Sequence, residues 1–209
     1  MKLSTPLLPK GAISEVFGAS SCGKTALMHA FLAEAAGGLD GAPESGECCA
    51  VIDVLNAFDP YTAAQAGVNL RRLLWVRGAG GRNSVPVLVE HAFKAVDLLL
   101  HSGGFGLVVL DLSEVQPRDL NRIPLSYWYR FRLAVQNTPT RLLVAADVPL
   151  VKSCARLQLE AKREQALWNG PVFDGLECRM EPRKMRNIPV VMNGVMNPPN
   201  HLRSLPLAG

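Results

Sequence analysis

The chain has 209 residues, of which 48% are hydrophobic and 19% charged, with a formal net charge of +4. That length suits one domain with an ample core. The composition excludes a disordered chain, and no uninterrupted apolar run reaches the roughly 20 residues of a membrane-crossing helix.

The charge is unevenly spread: residues 1–117 carry a balance of −3 and residues 118–209 one of +7. A basic half marks a nucleic-acid or acidic-protein surface, or else an ordinary solvated face. Residues 1–8 have neither the apolar core nor the cleavage site of a signal peptide, so the expected location is the cytoplasm. Five cysteines without a CxxC pair argue against a disulfide frame and a zinc site. His29, His91, His101 and His201 are scattered and read as packing or surface residues.

After a lead containing Pro6 and Pro9, an apolar strand is predicted over Ala12–Phe17. Gly18, Ala19, Ser20, Ser21, Cys22, Gly23, Lys24 and Thr25 follow, with Gly18, Gly23, Lys24 and Thr25 matching the phosphate-loop pattern. Backbone amides in such a turn, with the positive end of the next helix, make a concave polyphosphate site. Lys24 is placed to reach the β- and γ-phosphates, and Thr25 to complete the shell of a magnesium ion. The helix after the loop carries Leu27, Met28, Phe31, Leu32 and Ala35 as one apolar stripe, and Gly37-Gly38 stops it.

A polar connection, Leu39–Gly46, leads to CCAVIDV at Cys48–Val54, a strand apolar on both faces, with Asp53 near its carboxyl end. Asp59-Pro60 starts a short helix over Tyr61–Ala66. Leu73–Val76 is a third strand, Gly78–Asn83 a loop, and Val85–His101 a helix closed by Gly103-Gly104. The fourth strand, Leu107–Leu110, ends on Asp111, whose carboxylate is the expected holder of magnesium through water. Ser113–Asn121 reads as a polar loop. The helix Pro124–Gln136 mixes aromatic and basic residues, which either stack on bases or, at the spacing of Trp128, Phe131 and Val135, pack into the core.

Arg141–Ala146 is a fifth strand, and Ser153–Leu167 is an amphipathic basic segment. Leu176–Met180 and Ile188–Met192 form a candidate antiparallel pair around Arg183–Asn187, and the proline-rich tail, residues 197–209, is expected to be flexible. Strands alternating with helices imply an α/β fold with a mostly parallel sheet.

The loop GASSCGKT followed by VIDVLNAFDPYTAAQAGVNLRRLLWVRG resembles the core of the bacterial RecA recombinases. The match lies in Ile52-Asp53, Ala57, Asp59-Pro60, a short helix, Gly67-Val68 and a Leu73-Leu74 strand. With LVVLD at residues 107–111 it covers residues 11–146 in outline, and LECRMEPRKMRNIP is similar to the hairpin that closes that core. The resemblance implies a RecA-like P-loop NTPase core over residues 1–196, with a mostly parallel sheet flanked by helices and a C-terminal antiparallel hairpin. It implies ATP and Mg2+ as ligands. Lys184 and Arg186 resemble the basic pair that the family presents to ATP across a subunit interface, or form an ordinary charged turn. The family's two DNA-contacting loops correspond to Ser113–Asn121 and Val148–Ala155, both short. Arg118, Arg122, Lys152 and Arg156 are the candidate phosphate contacts there, and DNA binding stays open.

Three departures qualify the resemblance. Leu55 stands where the family places the glutamate that positions the attacking water, and leucine can neither take a proton nor orient water. The position of the family's γ-phosphate-sensing glutamine falls near Ala145 or Ala146, and that glutamine is absent. The lead before the first strand is shorter than the family's neighbour-gripping helix requires. A short RecA-like chain with these departures and a basic C-terminal half resembles the ImuA family, RecA-related accessory proteins of DNA-damage-induced (SOS) mutagenic translesion synthesis. That implies as partners an ImuB-like inactive Y-family polymerase homologue, an error-prone C-family polymerase and RecA itself. Two alternatives remain: a DNA-stimulated ATPase using Asp53 or Asp59 as the replacement base, and a small-molecule P-loop kinase.

Overall fold

The computed structural model describes residues 8–37, 46–78, 84–185 and 195–196. In chain order these form β1 (Ala12–Phe17), α1 (Lys24–Ala35), β2 (Cys48–Asp53), α2 (Pro60–Gln65), β3 (Leu73–Arg77), α3 (Val85–Ser102), β4 (Phe105–Asp111), α4 (Pro117–Leu120), α5 (Leu125–Val135), β5 (Arg141–Ala146), β6 (Ala155–Asn169), β7 (Val172–Met185) and β8 (Val195–Met196). One sheet runs in the order β3-β2-β4-β5-β1-β6-β7-β8. The strands from β3 through β6 are mutually parallel, and β7 and β8 extend the sheet antiparallel. This is the α/β arrangement read from the sequence.

The central strands are apolar at every second and every intervening position because helices cover both faces. On one face Cys49, Val51, Leu107, Val109 and Leu143 meet α1 and α2 through Leu27, Phe31, Leu32 and Ala63. On the other, Ala50, Ile52, Val108, Leu110, Leu142 and Val144 meet α3 and α5. Phe93 of α3 stands at the middle of the second layer, its ring 5.0 Å from Trp128 and 5.5 Å from Phe131 of α5. The aromatic residues Trp128 and Phe131, with Val135, are therefore core, as their helical spacing suggested. Of the others, Tyr127 packs edge-on against Phe93 and Arg130 pairs with Asp97 of α3.

Several sequence expectations are corrected. The polar loop Ser113–Asn121 contains α4, anchored by buried Val115 and Leu120. Helix α1 is buried well beyond one stripe, at Lys24, His29 and Ala33 as well, because the loop, the β2–α2 connection and the sheet enclose it. The basic segment after Ser153 is a long strand whose alternation of Ala155, Leu157, Leu159 and Ala161 inward against polar neighbours gives it its amphipathic look. Its partner is β7, so the main antiparallel pair is β6–β7, turning at Gly170, and Arg183 lies in a strand rather than a turn. Leu176 and Glu177 also pair antiparallel with β8. Ile188–Met192, the tail 197–209 and most of the two glycine-containing connections after α1 and β3 lie outside the described residues. Among the described residues no helix is long and apolar enough to cross a membrane.

Candidate functional site

β1 delivers the chain to the carboxyl end of the sheet, between β5 and β6, where Gly18 N–H bonds the Ala146 carbonyl oxygen at 3.3 Å. Gly18 has φ 156°, and a Cβ there would lie 2.2 Å from the Ala161 carbonyl oxygen and 2.9 Å from Cys22 Sγ. Only glycine passes this point. Ser21 and Gly23 adopt left-handed φ values of 58° and 87°, which turns the loop back over the start of α1. Gly23 caps that helix without a side-chain hydrogen bond, so the first amide donors of α1 are open to an anion. Ser20, Ser21, Cys22, Gly23, Lys24 and Thr25 line a cleft of about 260 Å3, closed on the far side by Ser113 and Glu114. Gly18 and Ala19 contribute differently: their carbonyl oxygens accept from Lys24 Nζ, the second at 2.9 Å.

Lys24 is only 7% exposed. Its ammonium also lies 2.9 Å from Asp147 Oδ1, an ion pair off the hydrogen-bond axis that leaves this enclosed oxygen without a hydrogen-bond donor. Asp147 directly follows β5, at the same end of the sheet as Asp111 of β4. Burial pushes the Asp111 carboxyl above its ordinary range and neighbouring Asp53 adds to this, while the Ser113 N–H, at 2.9 Å, and Lys24 oppose it. A carboxylate that resists ionisation alone gains most from a nearby cation, which fits the expected magnesium site at Thr25 and Asp111. A glycine-shaped loop, a helix start with no side-chain cap and a buried lysine suit a polyphosphate with Mg2+.

The two carboxylates weighed as replacement bases have other work. Asp53 accepts from Ala57 N and Phe58 N, both at 2.9 Å, and from Trp75 Nε1 at 3.2 Å, which fixes the turn after β2. Asp59 caps α2, accepting from Tyr61 N and Thr62 N at 3.0 and 3.1 Å. On the Asp53 turn Leu55 packs partly buried against the α3–α5 layer. Ala145 and Ala146 are buried, at 3% and 0% exposure. The positions named for a water-orienting glutamate and a γ-phosphate sensor are thus filled by apolar packing.

The candidate DNA contacts are not gathered into one patch. Arg118 is on α4 beside Asp119, and Arg122 borders a groove shared with Glu90 and Asp119; both follow from the carboxyl end of β4. Lys152 and Arg156 lie where β6 starts beside Ile13, at the other end of β1 from the phosphate loop. Arg156 falls at the register shift between Ile13 and Ser14. Lys184 stands in β7 opposite Gln158, and Arg186 lies outside the described residues. On the hairpin, Lys162, Arg179 and Arg183 are paired with Glu181, Glu164 and Glu160, so part of the basic half is neutralised within its own sheet.

Three acidic residues escaped the sequence reading. Asp147 follows an apolar strand as Asp111 does, and the same strand-end rule would have found it. Glu114 has no sequence signature; it reaches the cleft because the turn after β4 bends at Glu114, φ 65°. Glu15, wholly buried in β1, accepts from Leu150 N (2.5 Å), Val151 N (3.0 Å) and Gln158 Nε2 (2.6 Å), and so holds the β5–β6 connection that carries Asp147.

A family profile described as the RecA N-terminal domain matches residues 2–119, the stretch from the lead through β4 and α4. The chain is similar to Protein RecA of Ectopseudomonas oleovorans, 38% identical over 104 residues, which is 50% of this chain and 26% of that protein. It is similar to Protein RecA of Rickettsia canadensis, 37% identical over 111 residues, 53% of this chain and 28% of that one. Protein RecA of Paracoccus denitrificans is 40% identical over 104 residues, 50% of this chain and 25% of its own length. The chain spans about a quarter of the length of the curated relatives it matches.

Proposed function

The chain belongs to the RecA N-terminal domain family, and on that premise we propose that it is an accessory protein of the ImuA type in DNA-damage-induced mutagenic translesion synthesis. It holds ATP with Mg2+, hydrolyses it weakly or not at all, and acts through protein partners. The observation that carries the reading is a contrast: the loop Gly18–Thr25 and Asp111 have side chains and backbone suited to phosphate and magnesium, while Leu55, Ala145 and Ala146 carry no group that can activate water. Bound nucleotide then sets the shape of the domain rather than supplying turnover. The partners proposed are an ImuB-like inactive polymerase homologue, an error-prone C-family polymerase and RecA. The scattered basic residues favour protein surfaces over a continuous DNA track.

The test is a titration with Mg2+ and ATP run beside a phosphate-release assay on the same sample, with and without single-stranded DNA. Saturable binding lost in Lys24→Ala, with no phosphate released, is the expected result. A second reading, a DNA-stimulated ATPase, draws on Glu114, a carboxylate at the cleft. Phosphate release that disappears in both Lys24→Ala and Glu114→Gln would establish it in place of the first. The RecA partnership has its own test in light scattering of RecA filaments, which the added protein should shorten; unchanged filaments would remove it.

A further inference from the structure

The Lys24 ammonium already has an anionic partner. In phosphate loops this amine serves the β- and γ-phosphates, yet here it rests 2.9 Å from Asp147 Oδ1. The placement follows from topology. β5 lies between β4 and β1, with Ala145 opposite Asp111 and Ala146 opposite Phe17, so the next residue enters the space between the magnesium carboxylate and the loop. Asp147 Oδ1 is enclosed and receives no hydrogen bond among the described residues, while the side chain as a whole is 27% exposed, so its charge acts on Lys24 with partial screening by solvent. The connection that carries it is pinned by Glu15 through Leu150 and Val151.

We propose that Asp147 is the residue by which this site discriminates between nucleotides. Its carboxylate holds Lys24 where a terminal phosphate would, and Mg-bound nucleoside diphosphate binds at least as tightly as Mg-bound triphosphate. A triphosphate brings one to two further negative charges to the end of the loop where Asp147 stands, and at separations of a few ångströms in a partly enclosed site such repulsion is steep. A diphosphate leaves that end to the carboxylate. The inference rests on the nucleotide-site reading above and names the ligand form which that site prefers.

The experiment is calorimetric titration of the full chain with MgADP, MgATP and a non-hydrolysable triphosphate analogue, for wild type, Asp147→Asn, Asp147→Ser and Lys24→Ala. Melting curves show which variants are folded, and two different replacements at 147 guard against one failing to fold. Wild type is expected to bind the diphosphate at least as tightly as either triphosphate. Both Asp147 variants should shift the ratio of affinities toward triphosphate by tenfold or more, about 1.4 kcal/mol. Triphosphate binding that appears only in the Asp147 variants would support the proposal equally. A wild type preferring triphosphate by more than tenfold, or a ratio that stays within twofold in both variants while nucleotide binds, would overturn it and leave the nucleotide site standing. If neither nucleotide binds wild type or either Asp147 variant, the nucleotide-site reading fails and the proposal with it.

Discussion

Glu15 offers the sharpest test of how the site is held. Its side chain is wholly buried in the middle of the sheet, an expensive place for a carboxylate, and it is tolerated because its oxygens accept from Leu150 N, Val151 N and Gln158 Nε2. Glu15→Ala leaves two buried backbone donors without an acceptor, at about 1–3 kcal/mol each, and removes one amide bond worth about 1 kcal/mol. With the small cavity left behind, the expected loss is about 4–6 kcal/mol, a large part of the ~5–15 kcal/mol that holds a domain together. Glu15→Gln keeps an oxygen for both backbone donors and forfeits only charge assistance and the present orientation of Gln158, so about 1–2 kcal/mol is expected. Urea unfolding followed by circular dichroism reads both as shifts of midpoint at constant slope. An alanine variant within 1 kcal/mol of wild type, or a glutamine variant as damaging as alanine, would refute the account of Glu15 as the anchor of the β5–β6 connection.

Further outcomes follow from other parts of the chain. Gly18→Ala should lose nucleotide binding and about 1–3 kcal/mol of stability, because its methyl would meet the backbone oxygen of Ala161; wild-type affinity in calorimetry would contradict this. Phe93→Ala should cost about 3–5 kcal/mol in the same urea assay, since its ring joins Tyr127, Trp128 and Phe131. His29 is held below its usual pKa by burial, with Asp59 opposing. The unfolded chain therefore takes up its proton first. Stability should fall as pH drops below about 6.5 toward the lower folded value, by at most about 1.4 kcal/mol per pH unit, and His29→Leu should flatten that part of a stability-against-pH curve. Of the five cysteines Cys48 is exposed and the rest buried, with the Cys49 thiol pushed up to about 12 by burial; a native thiol titration should show one fast group, lost in Cys48→Ser.

The parts of the fold legible in the sequence were those in which local chemistry and tertiary role agree. β2, β4 and β5 announce themselves as unbroken apolar runs because both their faces are covered, and Asp59-Pro60 carries its own cap geometry. β6 was obscured because its alternation is diluted by the charges of Lys162, Arg163 and Glu164, whose pairing with β7 is visible only once the register is known. The loop was equally legible in its backbone, since a Cβ at Gly18 would strike the Ala161 carbonyl oxygen and Gly23 is left-handed. Asp53 was not legible in its role: a carboxylate at a strand end reads as a ligand, whereas here it ties down its own turn and Trp75. Asp147 lies where the strand-end rule points, yet Asp-Val-Pro after an apolar strand reads equally as a turn, and its facing of Lys24 is set by the sheet order rather than by anything local.

These placements connect through the sheet order. Because β5 separates β4 from β1, the residue after β5 borders both Asp111 and the loop Gly18–Thr25, and on the proposed reading its character decides what the site can do with a terminal phosphate. A neutral, hydrogen-bonding side chain at that place would report the phosphate; a carboxylate contests it. The same connection then descends along the α3–α5 face to start β6 beside Ile13, where Glu15 receives it and Leu150, Val151 and Cys154 are buried. A carboxylate on a segment so anchored withdraws only if the anchor gives. Glu15→Gln keeps the acceptor for Leu150 N and Val151 N but weakens both bonds, so Asp147 should leave Lys24 more readily with both charges of that pair intact, raising triphosphate affinity in the direction of Asp147→Asn and by a smaller factor. Triphosphate affinity unchanged in a folded Glu15→Gln protein would separate the anchor from the site.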